Sequence, residues 1–482
     1  MALILLVIIP LLAALLCCVR PIRKAAWGIS ILSNWLTFAL AIDVSVEVIA
    51  HGRVTGLPGW FEADGLSALI LVLVSFVLSM ACVFAGGYMR RLEHADQDRL
   101  WWFYCNYNLL ACALLAVPSL AEPNLVWVAV ELITLFSALL VGFESTGGAL
   151  EAAWKFAILT IMGAPIALFG FLTLFWAYHS ATGGAWETWE GIRSMAASMD
   201  PNLLKLSFLL VFVGFGAKSG LAPMHTWLPD AHSQAPTPVC AVLSGVKTTV
   251  PLYVILRFLS IVLASPMARL GVWMVILGLV SVAIAAFLLL QVRDYKRMFA
   301  YSTVEHMGII LTAAGLATQA ADFGAVSQLL NHAITKSLCF YVAGIILLSL
   351  STREISSVRG LFRISPFAGS ALLLCSLAIA GAPPFPIFLS EFSILSAGIR
   401  AGQYVVVAIL ATLIVIAFVA ILQHVNRMAF GTPTGPVLRL SLPASCRIAV
   451  LGAAVPVVLL GIYIPAPVNE LLQLAARQLG GR

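Results

Sequence analysis

The chain is predicted to be an all-α polytopic membrane protein of about fourteen transmembrane helices, the seventh and twelfth of them broken. Three observations carry this reading. Of the 482 residues, 61% are hydrophobic and only 10% charged, whereas soluble domains hold roughly 25% charged residues. Apolar runs of about 20 residues, long enough to cross the hydrocarbon of a bilayer, follow one another along nearly the whole length. Two of the runs are interrupted by proline and glycine five helices apart, the spacing that a five-helix unit used twice would produce.

The first run, 3–19, is followed by Arg20, Arg23 and Lys24. A signal peptide would carry its positive charges first and a small-residue cleavage site after, so the run is read as an uncleaved span. Further runs lie at about 27–49, 65–88, 101–118, 124–143, 153–178, 203–218, 237–263, 270–290, 298–318, 324–350, 367–397, 402–422 and 447–464. The expected organisation is three N-terminal helices in 1–100, a first repeat of helices 4–8 in 101–265, a second of helices 9–13 in 266–430, and a C-terminal loop and helix in 431–482. Loops after odd-numbered helices hold about sixteen lysines and arginines, among them Arg293, Lys296, Arg297, Arg353, Arg359 and Arg363; loops after even-numbered helices hold about four. The positive-inside rule then puts both termini on the non-cytoplasmic side of the cell inner membrane.

Other features carry less. Asp43 and Glu47 lie near the end of the second run and read as interfacial and solvated, and the longest polar connection, His179 to Asp200, holds no recognisable chemistry. The net charge of +6 is scattered singly through short loops, so it forms no patch for nucleic acid. The nine cysteines show no C-x-x-C spacing and most lie inside apolar runs, which reads as free thiols rather than disulfides or iron–sulfur ligands. No phosphate loop, dinucleotide fingerprint, nucleophile motif or metal cage is present in the sequence, which argues against an independent enzyme.

Chemistry concentrates in charged residues placed inside apolar runs. Lys218 ends the seventh run, after which the chain breaks over Gly220, Pro223, Pro229, Pro236 and Pro238 before Lys247 appears in the eighth. A lysine at mid-membrane costs about 2.5–3.5 kcal/mol on insertion scales and faces a wet cavity or a partner, unless it snorkels to the interface from a helix end. His225 and His232 in the break are either a polar turn or groups that exchange protons near neutral pH. Glu131 has about seven apolar residues on either side, which places it near the middle of the hydrocarbon. Lys218 is its natural partner, because each relieves the cost of burying the other. The pair is either a static strut or a switch whose opening changes how firmly Lys218 holds a proton. Glu151 and Lys155 are four apart in the order favourable to an exposed helical ion pair. Glu305 and His306 sit within the tenth run, and His332 and Lys336, four apart, share one face of the eleventh as a short proton relay. The second interruption, Pro383, Pro384 and Pro386, precedes Glu391.

The run LPDAHSQAPTP, with Lys218 ahead of it and LYVILR after it, resembles the signature of the antiporter-like membrane subunits of respiratory complex I. Together with EAAWKF, AYSTVEHMG, NHAITKSLCF and PPFPIFLSEF, it is most similar to the hydrogenase-4 component F branch, near the subunit-4 branch of complex I. The resemblance spans about the third to the thirteenth helix. It implies two five-helix repeats inverted relative to each other, and a membrane subunit that couples electron transfer elsewhere to proton or sodium movement. It also implies no redox cofactor in this chain, the iron–sulfur clusters and nickel–iron, flavin or quinone sites belonging to partner subunits. Lys155 would tune Lys218. One departure stands out: the subunit-4 pattern has its central lysine where this chain has Thr249, and Lys247 lies two residues early, about 200° around an α-helix. Three functions follow: a redox-driven pump subunit, a subunit of a cation/proton antiporter or inorganic-carbon uptake system without a redox partner, or a scaffold. A scaffold has no reason to keep Glu131, Lys218, Lys336 and Glu391 in lipid.

Overall fold

In the computed structural model, residues 1–92, 99–184, 188–265, 270–432 and 442–480 are described. Part of the His179–Asp200 connection (185–187) and most of the loop that opens the C-terminal segment (433–441) lie outside the described residues. The helices, in order, are α1 (Ala2–Cys18), α2 (Ala26–His51), α3 (Gly65–Tyr88), α4 (Leu100–Ser119), α5 (Pro123–Val141), α6 (Gly147–Ile161), α7 (Gly163–Thr182), α8 (Trp189–Ser194), α9 (Pro201–Ser219), α10 (Trp227–Gln234), α11 (Thr237–Val242), α12 (Thr249–Leu263), α13 (Gly271–Gln291), α14 (Tyr295–Gly315), α15 (Gln319–Leu350), α16 (Leu361–Ile364), α17 (Pro366–Ile379), α18 (Pro386–Arg400), α19 (Tyr404–Phe430), α20 (Ala444–Ile462) and α21 (Ala466–Gly480). Among the described residues, eleven helical segments are long and apolar enough to cross a membrane. The chain is a multi-pass membrane protein.

Caps written into the sequence fix many of the helix starts. Asp64, Glu122, Thr146, Asp200, Asp294, Thr318 and Ser365 each accept a backbone N–H of the first turn of the helix that follows, and Pro123, Pro201, Pro366 and Pro386 occupy first-turn positions where a missing N–H costs nothing. In the middle of the molecule, Thr237–Leu263 is buried along its length, with α14 and most of α15 beside it. α13 and α14 approach closely because small residues line their seam: a Cβ on Gly308 would meet the carbonyl of Gly278 at 2.7 Å.

Several elements differ from the sequence reading. The sixth run is two helices, α6 and α7, meeting at Met162. The break after Lys218 contains a helix of its own, α10. Within the eighth run, Leu243–Lys247 is wound as a π-turn, which inserts an extra residue into the helix. A two-stranded hairpin, β1 (Arg53–Thr55) with β2 (Glu62–Asp64), joins α2 to α3. The amphipathic α21 packs on α3 and α15. Strands of three residues are too short for alternation to show, and α21 is too polar to read as a span.

Candidate functional site

The first interruption follows α9. Gly220 adopts the left-handed conformation that ends the helix (φ +76°), and the chain re-enters as α10 seven residues later. This leaves Lys218 in the last helical turn, fully buried. Its Nζ donates to Oε2 of Glu131 at 3.0 Å and to the hydroxyl of Thr134, one turn on along α5, at 2.8 Å. Glu131 is itself 22% exposed on the outer face of α5, and its Oε1 has no hydrogen-bond partner among the described residues.

Lys247 ends the π-turn, and its Nζ donates to the carbonyl of Lys218 at 3.0 Å. The ammonium lies 3.9 Å from the centre of the Trp227 ring and 4.6 Å from that of Phe156, an arrangement that offsets part of its desolvation. The sequence argument that set Lys247 about 200° away assumed an unbroken α-helix. The π-turn removes that assumption, and Lys247 sits against Lys218 while Thr249 bonds back to the carbonyl of Gly245.

The second half of the site starts in the same turn. His332 of α15 donates through Nε2 to the carbonyl of Ser244 (3.2 Å), and its ring lies 5.3 Å from that of His306 of α14. Gln328 donates to Nδ1 of His306 (2.7 Å), so the ring proton sits on Nε2, which donates to the carbonyl of Ile379 (3.1 Å). That carbonyl is free because α17 ends there, at the second interruption. Ser390 donates to Oε1 of Gln328, and Asn331 donates to the carbonyl of Pro386 (2.8 Å) and to Ser390 (3.2 Å). Glu391, next in the chain, packs its carboxylate against Gly381, whose φ of +74° turns the chain into the break. Lys336, one turn beyond His332, donates to the carbonyl of Phe299 (2.7 Å) and to Ser302. Glu305 is buried on α14, and its Oε2 has no hydrogen-bond partner among the described residues.

The remaining predicted residues stand apart from this line. Lys155 is half exposed and engaged by Glu151 (2.6 Å) and Asp230 (3.3 Å), with Arg297 on the other oxygen of Asp230 (2.7 Å). Among the described residues no bond joins it to Lys218. His232 is buried, its Nδ1 donating to the carbonyl of Leu228 (2.7 Å), and His225 lies in the break itself. Thr134, Ser244, Ser302, Gln328, Asn331 and Ser390 were missed by the sequence reading. A signal existed for Gln328: with His332 and Lys336 it forms an i, i+4, i+8 polar stripe. A buried cluster went unread as well. Arg257 forks onto Asp64, also bonding Ser67 (2.7 Å) and Tyr253 (3.0 Å). Burial pushes the Asp64 carboxyl up, but the Arg257 guanidinium outweighs it and holds the group below the usual carboxylate range.

What this arrangement can do is hold and pass charge; among the described residues no His, Cys, Asp and Glu cluster has a metal-holding arrangement. Residues 123–417 match the family described as NADH:quinone oxidoreductase/Mrp antiporter, TM. The chain belongs to that family. Among its relatives, the hydrogenase-4 component F homolog of Methylacidiphilum infernorum is 35% identical over 86% of this chain and 88% of that protein, so the resemblance read from the motifs holds. In fold, the antiporter-family chain is similar to one in the Mrp complex from Dietzia sp. DQ12-45-1b (20% identity, 99% of this chain and 97% of that one, TM-score 0.88). It is similar also to one in respiratory complex I from Thermus thermophilus (21% identity, 100% of both chains, TM-score 0.84).

Proposed function

We propose that this chain is the proton-translocating membrane subunit of a respiratory-type oxidoreductase complex of the hydrogenase-4 or NADH-quinone oxidoreductase kind. Partner subunits, which hold the iron–sulfur and nickel–iron, flavin or quinone sites, carry the electron transfer, and this subunit moves the ions. The observation that carries the reading is the Glu131–Lys218 pair, its lysine fully buried and bonded onward to Lys247, in an apolar setting where unpaired charge is costly.

Mechanistically, Glu131 and Thr134 stabilise the charged form of Lys218. Moving Glu131 away leaves an ammonium in a site that solvates it poorly, with Lys247 close by, and favours passage of a proton towards the second half. There His332, His306, Gln328 and Ser390 provide donors and acceptors in sequence, Glu305 and Lys336 form a side branch, and Glu391 ends the line. His225, His232 and Lys155 act at its edge. In this reading α1, α14 and α17–α18 complete the eleven segments to fourteen spans, α9–α10 and α17–α18 are the broken helices of two inverted repeats in 101–265 and 266–430, and both termini face away from the cytoplasm of a cell inner membrane. The fold shared with the Mrp complex chain favours one second reading, a cation/proton antiporter subunit without a redox partner; an inorganic-carbon uptake role shares its membrane chemistry. Purification of the native complex separates these, because hydrogenase or quinone-reductase subunits must co-purify under the first. Proton flux by the reconstituted complex, strongly reduced but measurable in Lys218→Met, tests the translocation itself.

A further inference from the structure

Away from the charged line, a cavity of about 300 Å³ opens where α13 and α19 end. It is lined among others by Arg293, Glu354, Ser356, Arg359, His424 and Arg427. Its charge is unbalanced: three guanidiniums face one carboxylate, and that carboxylate is occupied by the hydroxyls of Ser356 (2.6 Å) and Ser357 (3.2 Å). Among the described residues none of the three arginines is in an ion pair. The site is also built. His424 is buried, its Nε2 donating to the carbonyl of Leu289 (3.0 Å), which fastens α19 to α13, and Arg359 is held by its own Nε on the carbonyl of Ser356 (3.1 Å).

The same cavity borders an apolar surface. On α19, Val415, Val419, Gln423 and Arg427 are spaced by four and all exposed, one line that starts apolar and ends in the guanidinium. On α13, exposed Phe287 and Leu290 lie in the last two turns of the helix, which ends at Gln291, two residues before the exposed Arg293. Both helices therefore present an apolar strip below a cationic end. A free phosphate would use only the upper part; an acyl chain attached to a phosphate uses both.

We propose that this cavity is a binding site for the headgroup of an anionic phospholipid, with the phosphate among Arg293, Arg359 and Arg427 and the acyl chains along the α13 and α19 strips. Basic pockets between transmembrane helices attract anionic headgroups, each nearby arginine adding a factor of roughly five in affinity. The bound lipid would tie together the ends of α13 and α19 and the α15–α16 connection, which the three arginines come from.

The test uses the assembled complex in nanodiscs of mixed phosphatidylcholine and phosphatidylglycerol, with native mass spectrometry counting the lipid retained on release. Phosphatidylglycerol is expected to be retained preferentially. The preference should fall roughly five-fold for each of Arg293→Gln, Arg359→Gln and Arg427→Gln, vanish in the triple variant, and survive largely in the triple Arg→Lys variant. Equal retention of the two lipids overturns the proposal, as does a preference unchanged in the glutamine variants. Retention of inorganic phosphate without enrichment of phosphatidylglycerol overturns it in favour of a soluble anion. If the triple glutamine variant does not assemble, the three single variants decide the question.

Discussion

Glu131 offers a direct test of the reasoning, because replacing it with glutamine or leucine removes different things. Lys218 is fully buried and has two side-chain partners, the Glu131 carboxylate at 3.0 Å and the Thr134 hydroxyl at 2.8 Å. Glutamine keeps an acceptor but removes the charge, so the loss is the difference between a charge-assisted and a neutral hydrogen bond, about 1–2 kcal/mol. Leucine leaves the ammonium with Thr134 alone. Breaking a buried pair on one side costs about 3–5 kcal/mol, and the 22% exposure of Glu131 puts this case towards the lower end. In Glu131→Leu/Lys218→Met both charges are gone, and stability should return to within about 1–2 kcal/mol of the native protein. Proton flux should not return. The assay is thermal unfolding of the solubilised complex alongside proton flux in proteoliposomes. Thermal stability should rank the native protein, then Glu131→Gln, then Glu131→Leu, with the double variant above Glu131→Leu; flux in the double variant should fall by less than the product of the single losses. Strict additivity in both measurements would refute a functional pair.

Four further outcomes follow from the geometry. Lys247→Met should reduce proton flux about as much as Lys218→Met, since Lys247 bonds directly to Lys218; near-native flux would restore the helical-register argument against it. Gly381→Ala should cost about 1–2 kcal/mol because φ is +74° there, and its Cβ would collide with the Glu391 carboxylate. Flux should then fall even where the complex still assembles, a result that assembly and flux measured together will reveal. Gln328→Leu should interrupt the line between His306 and Ser390 and lower flux with little effect on stability, whereas Gln328→Glu should retain more flux; equal loss in the two would argue against a conducting role. Asp64→Asn should destabilise by about 3–5 kcal/mol by leaving Arg257 unpaired while flux per assembled complex stays near native. Because the Asp64 carboxyl is held below its ordinary value of about 3.9, its contribution is present above that pH and is lost only as the pH falls through the lower folded-state value. Acid titration of the native protein and Asp64→Asn should therefore begin to converge only below about pH 4.

Local chemistry made much of this protein legible in its sequence. Run length and charge scarcity identify a polytopic membrane protein, since the bilayer imposes helix length and penalises every unpaired charge. For the same reason Glu131, Lys218, Lys247, Glu305, His306, His332, Lys336 and Glu391 stand out without any structure. Caps such as Asp294 and Thr318 mark helix starts because they satisfy backbone groups within one turn.

Tertiary structure alone decided who meets whom. Lys218 and Thr134 are 84 residues apart, and His332 and Ser244 are 88 apart; no local pattern encodes such distances. The π-turn at Leu243–Lys247 has no mark in a run of apolar and small residues, yet one inserted residue rotates everything after it and moves Lys247 onto the charged line. Gln328, Asn331 and Ser390 are neutral, so their burial carries too small a penalty to stand out in a sequence, and they matter only because the second interruption brings the carbonyls of Ile379 and Pro386, and Ser390, to α14 and α15. The titratable residues were readable because lipid makes charge expensive wherever it lies, and their connections were not because a hydrogen bond depends on where two distant segments come to rest.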